Sequence, residues 1–333
     1  MTTSAHATGH GDLTVGPLRA EPGAKVRGSV RADLGSTAVD VPVTLVNGAQ
    51  PGPTVVITAG VHGGEFTGVD AATRLGALVE PDEVHGRLVI CPVANPPAVY
   101  HGRLGVSPLD GVNINRVFPG DPEGGPTERL AAWIFGTLIA GADAYVDLHS
   151  GGIDETLRDF VGYRLTGDAD LDARTRAMAH ALGIEDVILG LNAEGGNSHA
   201  AAARKGVPAV LVETGRLGER GPDVARSLTE SLYRLLRHLG VLRRDAAPEP
   251  PPVREWVWGG AVTAEVTGLW YPDSGTGDDV SAGQVIGRVI DPADGREHKV
   301  TATATGRIFY GMHGLTVAPG AELAAIAAPY KGA

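Results

Sequence analysis

The sequence predicts an α/β fold: a mostly parallel or mixed sheet flanked by helices, followed by a small C-terminal all-β domain. Three observations carry this. Short apolar runs bounded by Gly and Pro alternate with stretches of helical period over residues 40–244. A proline-rich acidic stretch, "DAAPEPPP" at 245–252, interrupts the alternation and reads as a linker. Over 253–333 no helical period recurs, and glycines punctuate short runs such as "AVTAEVTG", "GQVIGRVI" and "RIFYGMHG", the pattern of a small β-barrel-like domain. Residues 1–39 precede the alternation as a tail and leading strands.

In chain order, "DVPVTLVNG" (40–48) alternates loosely and ends in Asn-Gly, a hairpin signal. "PTVVITAG" (53–60) is β-branched and bounded by Pro and Gly, as a buried strand would be. "EFTGVDAATRLGALV" follows with helical spacing through Val69, Leu75 and Leu78. "GRLVICPVANP" (86–96) is a second buried strand. Residues 125–142 predict a helix, with Thr127 as its cap and Leu130, Ile134 and Leu138 on one face. "AYVDLHSGG" (144–152) is a strand running into glycines, and 170–183 a helix with a glycine stop. "PAVLVETG" (208–215) is a strand, and 222–240 a long amphipathic helix with Pro222 in its first turn. "VSAGQVIGRVIDPADG" resembles the Gly-rich hairpins of lipoyl- and biotinyl-type barrels. It has no lysine at the hairpin tip, so no carried prosthetic group is expected.

The totals bound the function. A chain of 333 residues, 43% hydrophobic, has ample material for a core. A net charge of -11 argues against nucleic acid as a partner and requires that an anionic substrate be met by locally placed arginines. A lone cysteine, Cys91, rules out an intramolecular disulfide and fits a reducing cytoplasm. No signal-peptide h-region and no run of 18 apolar residues is present, so the expectation is a cytoplasmic protein without a membrane partner. Homo-oligomerisation is left open.

The chemistry-bearing residues fall at strand ends. "AGVHGGEFTG" (59–68) sets His62 and Glu65 among glycines at a strand-to-helix junction. "DLHSGG" supplies His149, and "VETG" supplies Glu213. In an open sheet the C-terminal strand ends converge on one crevice. Two histidines and a carboxylate are the ligand set of a catalytic zinc with an open position, and a further carboxylate nearby serves as general base. Taken singly, a His-x-x-Glu pair arises by chance and a lone histidine is usually a bonded core group. Their shared position after strands, beside glycines that let the backbone turn sharply, favours ligation. The long loop 101–120, "HGRLGVSPLDGVNINRVFPG", adds Arg103, Asn115 and Arg116. Arginine forks carboxylates, and beside a metal-bound carbonyl it stabilises an oxyanion.

"GVHGGEFTG", "NINRVFPG", "DLHSGG" and "PAVLVETG" occur in the order and approximate spacing of the succinylglutamate desuccinylase/aspartoacylase family, relatives of the zinc carboxypeptidases. The chain resembles that family over about 40–240, and its β appendage is similar to the family's C-terminal domain. The resemblance implies a zinc-carboxypeptidase-like fold and one zinc per chain, held by His62, Glu65 and His149. It implies Glu213 as general base and acid, Asn115 and Arg116 on a substrate carboxylate, and Arg103 polarising the scissile carbonyl. The implied reaction is hydrolysis of the amide of a small N-acyl amino acid or related acid, a small anionic acylated amine. Two rival readings stand beside it. A zinc carboxypeptidase trimming short peptides would need an open cleft. A non-catalytic relative would normally have lost a ligand or the base. Family enzymes also take a late tyrosine from the C-terminal domain. Tyr271 in "GLWYP" and Tyr310 in "IFYG" both meet that description, and Tyr271 stands among the substrate-binding candidates. Residues 151–164 and 190–206 read as specificity loops, with Arg158, Arg164 and His199 as candidate contacts.

Overall fold

A computed structural model describes residues 11–102, 105–243 and 251–332. A short hairpin, β1 (Leu13–Val15) and β2 (Leu18–Ala20), leads into β3 (Ala24–Asp33), β4 (Ala38–Asn47), β5 (Gln50–Ala59), α1 (Phe66–Leu78) and β6 (His85–Cys91). Then come α2 (Pro126–Ile134), β7 (Ala144–His149), β8 (Glu155–Leu157), β9 (Phe160–Arg164), α3 (Ala169–Ala181), β10 (Asp186–Gly190), α4 (Ser198–Arg204), β11 (Ala209–Glu213) and α5 (Pro222–His238). The remainder is β12 (Arg254–Thr263), β13 (Gly268–Pro272), β14 (Asp279–Val280), β15 (Val285–Ile290), β16 (Glu297–Thr301), β17 (Gly306–Met312), β18 (Thr316–Val317) and β19 (Glu322–Pro329).

One 13-stranded sheet runs β3-β4-β6-β5-β7-β11-β9-β10-β12-β19-β17-β14, with β8 paired to β17. β6, β5, β7 and β11 are mutually parallel, and β9 reverses against β11. β10 and β12 then follow the direction of β9. The sheet is therefore mixed. β12 pairs with β10 from Asp186↔Arg254 to Leu189↔Val257, so the last third of the chain extends the central sheet directly. β16-β15-β13-β18 form a separate four-stranded sheet. Among the described residues no helix is long and apolar enough to cross a membrane.

The central strands are apolar on both faces because both faces are covered. Ile57, Val146, Leu148 and Val212 meet the layer that contains α1 and α5. Val56, Val89 and Tyr145 meet Leu130, Ile134 and Ala202 of α2 and α4 on the other face. Helix α5 buries Leu228, Leu232, Leu235 and Leu236, the i, i+4, i+7, i+8 stripe of a core-facing helix. Truncating Leu232, fully buried in that stripe, would cost about 2–5 kcal/mol.

Three stretches differ from expectation. Residues 151–164 hold β8 and β9 rather than a loop; Asp159 and the arginines interrupt the alternation that would have revealed them. Residues 190–206 hold α4, whose run "SHAAAAR" is buried at every position but the last and so shows no helical period. The helix expected over 125–142 is α-helical to Ile134 and continues as one π-helical segment, Phe135–Ile139.

Candidate metal centre and cleft

The turn after β5 brings the first candidates together. Gly60 and Gly64 have φ of +64° and +91°, a region that favours glycine. A Cβ on Gly60 would also lie 3.1 Å from the Pro92 carbonyl oxygen. Gly68 in α1 packs so closely on β7 that a Cβ there would sit 3.0 Å from Leu148. This contact holds the start of α1, and Glu65 just before it, against His149 at the end of β7.

Glu65 takes one imidazole on each carboxylate oxygen. His62 Nδ1 lies 2.6 Å from Oε1, and His149 Nδ1 lies 2.8 Å from Oε2. The other nitrogen of each ring is anchored. His62 Nε2 lies 3.0 Å from Asn113 Oδ1, which also accepts the Asn115 amide. His149 Nε2 lies 3.0 Å from Asp147 Oδ2. Both anchors are acceptors, so both Nε2 atoms carry a proton. Each Nδ1 then turns a lone pair toward a carboxylate oxygen, and such a pair holds together only around a proton or a metal cation. Ligand atoms of His62, Glu65 and His149 all lie within 4.8 Å of one another. Two imidazoles and a carboxylate are a donor set for zinc, so the residues present fit that ion.

The electrostatics express the same need. Burial pushes the Glu65 carboxyl up, but the two imidazoles outweigh it and hold it well below the usual range. Burial pushes His149 down, but Asp147 and Glu65 outweigh it and raise it well above its ordinary value. Asp147, fully buried, accepts Thr58 Oγ1 at 2.7 Å and the Ser198 hydroxyl. Tyr145, Asp147 and His149 share one face of β7 by the two-residue period. That spacing, Asp-x-His on a strand, is the sequence signal for Asp147.

Glu213 ends β11 in register with His149 on β7 and lines the same cleft. Its carboxyl is pushed well above its ordinary value by burial and by the charges of Glu65, Glu155 and Asp147, against His149. Asn115 is buried in the turn Ile114–Arg116. Its Oδ1 accepts the Ser198 amide at 2.9 Å and its Nδ2 lies 3.5 Å from His149 Nε2. Arg116 donates to the Asn115 carbonyl at 2.9 Å and reaches the cleft. Arg164, from the end of β9, donates to Asn197 Oδ1 at 3.2 Å. Burial, then Arg116 and Arg204, lower its pKa. Among the described residues no carboxylate forms an ion pair with Arg116 or Arg164, and although Glu322 lines the same cleft within reach of Arg116's charge, the two guanidiniums give this flank a positive balance. His199 lines it too, its pKa pulled down to about 3 chiefly by burial and by Arg164, and among the described residues its Nδ1 has no partner.

The cleft holds about 690 Å³, the size of a small-molecule site. Trp258, Ala261, Tyr310 and Ala325 line one side, so strands from the last third of the chain form part of its wall.

The other candidates separate. Arg103 lies outside the described residues. Arg158 points into a second cleft, where it donates to Asp186 at 2.6 Å and Glu185 at 3.1 Å. Its carboxylates are already the protein's own, which removes it from the substrate-binding set. Tyr271 sits in the four-stranded sheet, 38% exposed, with the Arg288 guanidinium 6.0 Å from its ring centre. It does not line the cleft. Tyr310 does, and its hydroxyl donates to Glu155 at 3.3 Å. Tyr310 therefore replaces Tyr271 as the tyrosine at the cleft.

Residues 51–239 match the succinylglutamate desuccinylase/aspartoacylase catalytic domain. The chain belongs to this family. It is 35% identical, over 76% of its length and 75% of the relative's, to the N-alpha-acetyl-L-2,4-diaminobutyric acid deacetylase of Halomonas elongata. A succinylglutamate desuccinylase/aspartoacylase structure from Rhodobacter sphaeroides superposes with TM-score 0.82 at 28% identity, covering 92% of this chain and 96% of that one. The product-bound ectoine utilization protein EutE (DoeB) of Ruegeria pomeroyi gives TM-score 0.82 at 26% identity, covering 91% and 95%.

Proposed function

We propose that this family member is a zinc-dependent deacylase that hydrolyses the amide of a small N-acyl amino acid, with N-acetylated diamino acids as its substrate class. The observation that carries the reaction type is the shared carboxylate of Glu65 between two imidazole Nδ1 atoms, in one cleft with Glu213 and the arginine pole. The deacetylase relative supports the substrate class. His62, Glu65 and His149 would hold the zinc, which would supply Lewis acidity and lower the pKa of a water toward neutrality.

The chain's own residues do the rest. Asn113 and Asp147 fix both imidazole tautomers. Arg116, Arg164 and the Asn115 amide orient the substrate carboxylate, and Arg103 is assigned to the scissile carbonyl. Glu213 takes one proton from the attacking water and returns it to the leaving nitrogen. Water adds to the acyl carbon, the C–N bond breaks, and the acid's remaining proton passes to the amine, so that a carboxylate and an ammonium leave. The wall formed by Trp258 and Tyr310 narrows the cleft and disfavours peptide trimming. The single buried thiol suits the cytoplasm as the place of reaction.

The test is a hydrolysis screen of zinc-loaded protein against N-acetyl, N-succinyl and N-formyl amino acids, with metal analysis of His149→Ala. Hydrolysis of N-acetyl substrates that is lost on chelation and restored by zinc is expected, and His149→Ala should lose most of its zinc. Undiminished activity after complete chelation would overturn the reading.

A further inference from the structure

The cleft has a second pole that the deacylation steps leave unused. Glu155 lies on its wall, six residues beyond His149. Its Oε2 accepts the Gly152 amide at 2.8 Å, and its Oε1 accepts the Tyr310 hydroxyl at 3.3 Å. Among the described residues no lysine, arginine or histidine forms an ion pair with it. Burial comes first among the causes that raise its pKa, and the charges acting on it most strongly are Glu65, Asp154 and His62. A half-buried carboxylate near two others, with no cation of its own, is stabilised by a cation that arrives beside it.

Its position is fixed rather than incidental. β8 pairs with β17, Glu155 opposite Met312 and Leu157 opposite Tyr310, so the carboxylate and the phenol are carried on adjacent strands. Ser150 lines the same cleft, 3% exposed, and among the described residues its hydroxyl has no partner. An ammonium has three N–H donors. A carboxylate, a phenolic oxygen and a free hydroxyl are three acceptors. The arginine pole, by contrast, stands with Asn115 and Asn197.

We propose that Glu155, assisted by Tyr310 and Ser150, receives the free ammonium of the substrate and so selects N-acyl diamino acids over N-acyl monoamino acids. This rests on the deacylase reading above and assigns its selectivity to particular side chains. Nothing in it requires Glu155 to touch the reacting atoms. Glu155 is a specificity-determining residue. A purely structural Glu155 would need only an oxygen for the Gly152 amide, which glutamine supplies equally well.

The experiment compares an isosteric pair on the zinc-loaded full chain: Nα-acetyl-L-2,4-diaminobutyrate, and Nα-acetyl-L-norvaline, in which a methyl replaces the ammonium. Wild type should prefer the diamino substrate. Glu155→Gln should shrink that preference about 10–100-fold, the range for a charged hydrogen bond, mainly through KM. Calorimetric binding of the two products, 2,4-diaminobutyrate and norvaline, should show the same loss. Tyr310→Phe should give a smaller loss of the same sign, and it decides the matter if Glu155→Gln does not fold. Equal losses on both substrates, or a wild type that does not distinguish them, would overturn the assignment. If neither substrate is hydrolysed, the deacylase reading fails, and the product-binding pair still decides whether Glu155 holds an ammonium.

Discussion

Two buried carboxylates stand at the same edge of the central sheet and have opposite surroundings. Asp186, at the start of β10, receives Arg158 Nε at 2.6 Å, Arg254 Nε at 3.0 Å and Trp256 Nε1 at 2.8 Å. All three partners are donors, and two are cations. Glu65, just beyond the end of β5, faces two imidazole nitrogens whose rings have already committed their protons to Asn113 and Asp147. The first carboxylate is complete within the protein and fastens β12 to the body. The second is complete only with a cation from outside. The difference lies in which neighbours can donate, not in burial, since Asp186 and Glu65 are 1% and 7% exposed.

The largest expected effect sits at the completed site. Asp186→Ala unpairs the buried Trp256 Nε1 and takes a charged acceptor from two arginines that keep Glu185, and should cost about 3 kcal/mol of stability, measured by urea unfolding of metal-free protein. Glu65→Gln in the same metal-free protein should cost clearly less, because His149 keeps Asp147 and the glutamine amide can still bond an imidazole nitrogen. Equal costs would break the comparison.

Next comes Glu213→Gln, which keeps the shape and removes the base. Turnover should fall at least ~10²-fold while zinc content stays near wild type; loss of zinc would show that the two glutamates have exchanged roles. Asp147→Asn should weaken zinc binding about 10–100-fold, read by competition with a chelating dye. An unchanged affinity would show that the His149 tautomer is set some other way.

The smallest effect sharpens the comparison at the surface. Burial raises the Glu255 carboxyl, but Arg176 and His180 outweigh it and pull it below its ordinary value of 4.5. A depressed carboxyl contributes stability above its unfolded-state pKa, and loses it as pH falls through the folded-state value. Glu255→Gln should therefore cost at most about 1 kcal/mol at neutral pH, since Arg176 is half exposed. The gap from wild type should close in acid. A gap that widens in acid would refute the sign.

His62, Glu65, His149 and Glu213 were legible because each follows a strand that its own residues declare, and glycines mark the turns. Asp147 was legible in principle from the strand period. Tyr310 and Tyr271 were not separable, since both sit in short glycine-flanked strands. The choice depends on β17 pairing with β8, a contact between residues 155 apart in sequence at Tyr310 and Glu155. Arg158 misled for the same reason: its partners Glu185 and Asp186 arrive from the start of β10, a strand too short to stand out between a helix and a glycine turn. Helix α4 was hidden by its own burial, because a helix covered on every side has no polar face to set a period.

β12 hydrogen-bonds to β10, whose five residues are all buried. A gene cut before Arg254 would leave that strand's backbone open along its length, apolar over Val187–Leu189 and with a charge only at its first residue, Asp186. Another copy could then take the vacant place. The C-terminal strands thus both shape the cleft wall and close the edge of the central sheet, so a cut at this boundary removes a lining and exposes a pairing edge together.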